Sequence, residues 1–366
     1  MDNFCHTLVG AAIGEAGLKH RTRYANATLM ITANLPDIDV LSFVTDTNPI
    51  SFRRGWTHGI LAQLVLPVVF TVIVYAIGRL RPRRSDTGLA LSEPTGRVDG
   101  PPLHAGWLLL LSYIGVYSHV FLDFLNNYGV RLLAPVDWRW FYGDALFIAD
   151  VWLWLALGVG VWLARRQRRP APSRAALAFS VCYIGAMLIS AQAARSVVSD
   201  TWREVRGTTP QALMVGPLPF TPFTRAVIVD AGDRYETGTF RWWPTRVTFD
   251  PTPIPKNAGH PFIHMARNSP QIREFLVWSR FPFWTISPEK PGSTRVTLMD
   301  VRFMGAPARF DASIVVSSVA MQRQPAAQSA ADATSTGSSH PSDRSRSLTA
   351  SSSGMSSPFQ SESAAP

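Results

Sequence analysis

Charge is the scarcest ingredient of this chain. Only 16% of its 366 residues are Asp, Glu, Lys or Arg, against about 25% in an average soluble domain. With 46% hydrophobic residues, that deficit points to a membrane protein. Cysteine is almost missing as well. Cys5 and Cys182 lie in segments that are not expected to meet, so nothing supports a disulfide framework. The opening residues Met1-Asp2-Asn3 lack the basic stretch of a secretory signal peptide. There is no P-loop, no Rossmann glycine fingerprint, no Gly-x-Ser-x-Gly elbow and no His-Glu-x-x-His. The formal charge of +10 is concentrated in short Arg clusters beside apolar runs. That placement reads as membrane topology and not as nucleic-acid binding.

The chain does contain apolar runs of spanning length, for which about 20 residues are needed. Runs at 60–80, 105–125, 145–164 and 175–194 predict four membrane helices. Two shorter helices, 7–18 and 24–35, precede them, either lying at the interface or packing as a hairpin against the bundle. Arg79, Arg81, Arg83 and Arg84 follow the first run, and Arg165, Arg166, Arg168 and Arg169 follow the third. The positive-inside rule puts both loops in the cytoplasm. His58, His119, Asp123, Asp144 and Asp150 then fall at the opposite, non-cytoplasmic face. From about residue 198, aromatic and β-branched residues alternate with polar ones. Strands are expected at 225–230, 234–242, 246–249, 295–303 and 309–316, with a helix at 261–278. The expected organisation is a membrane-embedded helical domain over 1–197, an extramembrane α+β domain over 198–320, and a Ser/Ala/Pro-rich tail over 321–366. The tail has too few large apolar side chains to offset the cost of ordering, so it is expected to be disordered.

The polar residues inside this apolar frame carry the chemistry. His119 and Asp123 are four apart and share one helix face. An ionisable pair in a membrane segment is costly and usually functional. His6, the Pro36-Asp37-Ile38-Asp39 step and His58 supply matching groups from other segments. Imidazoles and carboxylates converging from several helices are what a divalent metal site requires. Each piece also has a plainer reading: a helix-start histidine for His6, a cap or turn for Asp37 and Asp39, an interfacial residue for His58, a structural interhelical hydrogen bond for His119 with Asp123. Gly10, Gly14 and Gly17 recur on the face of His6 and predict a closely packed neighbouring helix. Asp144 and Asp150 are candidates for orienting a ligand imidazole or for a third carboxylate arm, with a helix N-cap as the other reading of Asp144.

The ordered set His6-Thr7, Leu35-Pro36-Asp37-Ile38-Asp39, Arg54-Gly55-Trp56-Thr57-His58 and Ser118-His119-x-x-Leu122-Asp123 resembles the YdjM-type family of bacterial inner-membrane proteins, described as metal-dependent hydrolases. The resemblance covers residues 1 to about 160. It implies His6, Asp37, His58, His119 and Asp123 as ligands. It also implies a distant similarity to zinc-dependent phospholipase C and P1-type nucleases. The chain departs from those soluble proteins in having no later His-and-Glu helix to complete a three-metal cluster.

These readings predict a membrane-embedded hydrolase using zinc or a similar divalent ion, with Asp39 as general base. A site close to the headgroups favours a lipid-linked or amphiphilic substrate, and family analogy favours a phosphoester. Arg131 and Arg139 are the candidates for pairing with phosphate, or for anchoring at lipid headgroups. The alternative is a non-enzymatic envelope scaffold or binding protein held together by a structural polar or metal cluster. A transporter is disfavoured, because its polar residues should line a path across the bilayer.

Overall fold

Asp2 starts the first helix. Its carboxylate accepts the backbone N–H groups of Phe4 and Cys5, each at 3.0 Å, and so caps α1, Asn3–Glu15. This is why α1 begins four residues ahead of the expected start at Thr7. In the computed structural model, which describes residues 1–44, 52–80, 101–305 and 310–317, α2, Ala25–Thr32, returns alongside α1. Gly10 permits the close approach, since a Cβ there would lie 2.7 Å from the Leu29 carbonyl oxygen. Gly14 faces Asn26 in the same way. The two short helices therefore form a hairpin. Its open end carries His6 and a 3₁₀ stretch over Leu35–Val44 that holds Asp37 and Asp39.

Three described helices are long and apolar enough to cross a membrane: α3, Ile60–Leu80; α4, Ala105–Phe124; and α6, Ala171–Arg206. The expected third span is shorter than predicted. α5 covers Val151–Gln167, 17 residues or about 26 Å. Residues 145–150 do not join it, because the N–H groups of Ala145 and Leu146 turn back to the Leu125 carbonyl. The N-terminal hairpin sits inside this bundle. Cys5, Ala11 and Ala12 of α1 pack with Leu122, Leu125, Leu153, Leu157, Val161 and Met187 from α4, α5 and α6. Cys5 and Cys182 are both free thiols.

α6 continues to Arg206, nine residues past the boundary expected at 197, because Val198 and Trp202 bury against a sheet. That sheet is antiparallel in the order β1, Ala212–Leu218; β2, Thr221–Asp230; β3, Arg234–Trp242; β4, Thr245–Phe249, with β5, Ile254–Pro255, also paired to β3. A second antiparallel sheet joins β6, Pro282–Lys290; β7, Ser293–Asp300; and β8, Asp311–Ser317. The helix expected over 261–278 is two helices, α7, Pro261–Ala266, and α8, Pro270–Trp278. Ser269 caps the second, and Pro270 occupies its first turn. Helices and sheets together belong to one compact unit, Met1–Ser317. The expected positions of Arg81, Arg83 and Arg84, the strand start at Arg309 and the tail over 321–366 lie outside the described residues.

Candidate metal centre

Four buried side chains from three segments converge at one end of the bundle. His119 and Asp123 project from the last two turns of α4, Asp37 comes from the 3₁₀ stretch, and His58 from the turn before α3. Their ligand atoms all lie within 4.8 Å of one another. His58 Nε2 is 3.1 Å from His119 Nε2 and 3.3 Å from Asp123 Oδ2. Asp37 Oδ1 is 3.7 Å from His58 Nε2 and 3.8 Å from His119 Nε2, and His119 Nε2 is 3.6 Å from Asp123 Oδ2. A tetrahedron with bonds of 2.0–2.2 Å to nitrogen and oxygen has edges of about 3.3–3.6 Å. The set therefore has the size of a tetrahedral shell around one ion.

The hydrogen bonds behind the ligands fix their proton positions. His119 Nδ1 lies 2.7 Å from the Ala33 carbonyl oxygen, which only accepts, so Nδ1 carries the proton. Thr57 donates its hydroxyl to Asp39 Oδ2 at 2.8 Å, so Thr57 Oγ1 accepts from His58 Nδ1 at 2.9 Å. In the neutral rings both Nε2 atoms are then bare lone pairs facing each other. Beside them, the buried Asp37 Oδ1 lies 3.6 Å from Arg53 Nη2, and Asp123 Oδ2 lies 3.0 Å from Arg54 Nε. The two imidazole lone pairs, 3.1 Å apart, repel unless a cation stands between them, and the two carboxylate oxygens are close enough to complete its shell. These residues thus fit a divalent ion, and the partners of the imidazoles are of the kind that orient metal ligands.

Other groups border this shell. His6 stacks on His119 with ring centroids 3.9 Å apart, and its Nε2 reaches Asp123 Oδ1, the oxygen turned away from His58, at 3.3 Å. It stands outside the group of four. Burial drives the His6 imidazole to its neutral form, down to about 3, with His119 adding to the effect. Burial likewise lowers His58. Asp39 lies behind His58, with Oδ2 accepting from Thr57 and from the Arg54 backbone N–H at 2.8 Å. The amino group of Met1 touches Asp123 Oδ1.

Arg54 and Asn126 are partners that the sequence reading did not single out. Arg54 Nη2 donates to Asp123 Oδ1 at 3.1 Å, its Nε lies 3.0 Å from Oδ2, and its Nη1 donates to Asn126 Oδ1 at 3.1 Å. Arg54 opens the His58 motif itself, and Asn126 follows just after Asp123. The signal lay in an arginine four residues before a buried histidine, where an interfacial reading sufficed.

Asp144 and Asp150 are placed elsewhere. Asp150 caps α5, accepting the Leu153 N–H at 3.0 Å and the Tyr183 hydroxyl at 3.1 Å. Asp144, at a φ of 49°, pairs with Arg280 at 2.9 Å, and its carbonyl accepts from Arg225 at 3.1 Å. Neither orients a ligand imidazole, and Asp144 is not a helix N-cap. Asp144 ties the helical bundle to the sheets. A second tie runs from Arg302, which donates to the Asn127 carbonyl at 2.8 Å, to Tyr128, which packs in the core beneath the second sheet.

The family of YdjM inner membrane proteins matches residues 1–194, more than half of the chain and all of the converging side chains. The chain is 26% identical over 175 residues to the uncharacterized protein YfhP of Bacillus subtilis (strain 168), a match covering 45% of this chain and 47% of that relative. The chain thus spans just under half the length of the relative it matches. No solved structure matches. The chain belongs to the YdjM inner membrane protein family and is a membrane protein with a buried cluster able to hold a metal ion.

Proposed function

We propose that this member of the YdjM inner membrane protein family is a membrane-embedded, metal-dependent hydrolase acting at the non-cytoplasmic face on a phosphoester or lipid-linked substrate. The observation that carries the reading is the pair of bare imidazole nitrogens of His58 and His119, 3.1 Å apart and flanked by carboxylate oxygens of Asp37 and Asp123. When bound there, an ion such as zinc acidifies water and polarises the scissile group. His58 and His119 hold their tautomers through Thr57 and Ala33. Arg54 holds the Asp123 carboxylate in place. Asp39 is the carboxylate outside the group of four, with its Oδ1 3.5 Å from Arg53 Nε. It is our candidate for taking a proton from water.

The structure separates the two arginines considered for phosphate. Arg139 is exposed and bonded to Asp137 by Nε at 2.7 Å. Arg131 is only 7% exposed and pairs with no carboxylate among the described residues. Its guanidinium lies over Trp140 and Trp138, at 4.5 and 5.2 Å from the ring centroids, and its backbone N–H donates to the Arg54 carbonyl at 3.0 Å. A buried guanidinium without a carboxylate, one hydrogen bond from the Arg54 backbone, suits the anionic group of a substrate.

The scaffold reading rests on two facts: all four ligand residues are buried to 5% exposure or less, and four protein ligands fill a tetrahedral shell where a catalytic zinc keeps one position open. Hydrolysis of a generic phosphoester by detergent-purified protein separates the two readings. A hydrolase loses activity in Asp37→Ala along with its metal. It keeps its metal in Asp39→Asn while kcat falls, and it keeps metal and kcat in Arg131→Gln while KM for an anionic substrate rises. Full metal content with no turnover on any phosphoester favours the scaffold.

A further inference from the structure

Two hairpin tips at one end of the first sheet carry the most exposed aromatic residues of the β region. Phe220 lies in the β1–β2 turn and is 73% exposed, Phe223 follows it at 62%, and Trp243 in the β3–β4 turn is 88% exposed. Soluble β-hairpins have no reason to end in bare aromatics. The register puts both turns at the same end of the sheet, since Leu218 pairs with Thr221, Thr224 with Arg241, and Trp242 with Thr245.

Contacts with α6 set the level of that end. At the far end of the sheet, Arg206 pairs with Glu236 at 2.7 Å. Towards the tips, Trp242 Nε1 donates to Ser190 Oγ at 2.7 Å, and Arg225 Nη2 to the Met187 carbonyl at 3.0 Å. The strands therefore run back down α6 into its apolar part. Ser190 lies four residues inside the end expected for that span at 194, which is about 6 Å. Trp243 adjoins Trp242 at that level, and Phe220 extends beyond Arg225. On the membrane-facing side of the same helix, Ile189 is 73% exposed. Elements that lie in a membrane interface bury their apolar groups to about 5–10 Å. Arg241 and Arg246, both exposed and paired across β3 and β4, stand one register position from the Trp243 tip.

We propose that the Phe220, Phe223 and Trp243 tips dip into the bilayer beside α6, with Arg241 and Arg246 at the headgroups, so that the first sheet is anchored to lipid as well as to the helices. The partner is the lipid surface itself. The inference holds whether or not the metal centre is catalytic.

The test is site-directed spin labelling of the full chain in nanodiscs of phosphatidylglycerol and phosphatidylcholine. Cys182→Ser removes the exposed native thiol, and labels are placed by Phe220→Cys, by Trp243→Cys, and by Asp233→Cys in the turn at the opposite end of the sheet. Labels at the two tips should collide with oxygen several-fold more often, relative to a water-soluble nickel chelate, than the label at 233. A fluorophore attached at the same tip cysteines should also be quenched by a nitroxide lipid. Tip labels as accessible to the nickel chelate as the label at 233 would overturn the proposal. Tip labels shielded equally from oxygen and nickel would also overturn it, by showing a protein contact in place of lipid.

Discussion

Thr57→Val removes one hydroxyl and nearly nothing else. Valine keeps the shape, but His58 Nδ1–H loses its acceptor at 2.9 Å and Asp39 Oδ2 loses a donor at 2.8 Å. Asp39 Oδ2 keeps the Arg54 N–H, so the larger loss falls on the imidazole. A buried donor left unpaired costs about 1–3 kcal/mol. Removing the partner of a ligand histidine lowers metal affinity about 10- to 100-fold, or about 1.4–2.8 kcal/mol. The two ranges agree. Because Asp39 Oδ2 already lies 3.6 Å from His58 Nδ1, a small shift of the carboxylate recovers part of the bond. The expected loss is therefore near the low end, about tenfold. The assay is chelator competition on detergent-purified protein, with Thr57→Ser as the control expected to behave like the wild type. Unchanged affinity in Thr57→Val would refute the relay and, with it, the assignment of a bare Nε2 to His58.

Two further perturbations follow. A Cβ at Gly115 would meet the Thr32 hydroxyl and lie 3.0 Å from the Ala33 nitrogen, so Gly115→Ala should push α2 away and pull the Ala33 carbonyl from His119. Overpacking of this kind costs about 1–3 kcal/mol, read as a lower Tm with weaker metal binding, and an unchanged pair of values would argue against the close packing. Asp300 pairs with the buried Arg302 at 2.9 Å. Burial alone would raise this carboxyl, but the Arg302 charge, its hydrogen bonds and the Ser279 hydroxyl hold it below the ordinary value of 3.8. Its folded pKa is the lower one, so its contribution is complete above the ordinary carboxylate range and is lost as pH falls through the folded value. Asp300→Asn leaves Arg302 buried without its partner, which costs about 3–5 kcal/mol at neutral pH. It should also flatten the loss of stability in acid, followed by the fluorescence of Trp278 and Trp284, and an equally steep acid limb would contradict this.

Much of the helical frame was legible because its signals are local. Apolar runs mark α3, α4 and α6 directly, and the glycines at 10 and 14 mark the face that α2 covers. His119 and Asp123 share a face simply by helical spacing. The shortened α5 was not legible, because the chain turns back at 145 and 146 through bonds to Leu125, which lies 20 residues earlier. The missed strands β1 and β6 read Ala-Leu-Met-Val-Gly-Pro-Leu and Pro-Phe-Trp-Thr-Ile-Ser-Pro-Glu-Lys. Their glycine and prolines imitate turns, and only pairing with β2 and β7 makes them strands. Asp144 and Asp150 shared a membrane level with the ligands but not a direction. Depth in a bilayer constrains one coordinate, and the sequence carries no signal for the other two. Arg54 and Asn126 were missed for a related reason. A polar residue near a span end has an interfacial explanation ready, and only the fold shows it turned inward onto Asp123.

The central claim is that His58, His119, Asp37 and Asp123 close around a divalent ion. X-ray absorption at the metal edge, on detergent-purified protein of known metal content, tests it most directly. The account predicts one ion per chain in a four-coordinate shell of nitrogen and oxygen with the scattering of two imidazoles, absent from both His119→Ala and Asp37→Ala. Wild-type protein that stays metal-free after incubation with zinc, or an ion that persists unchanged in both variants, would contradict it.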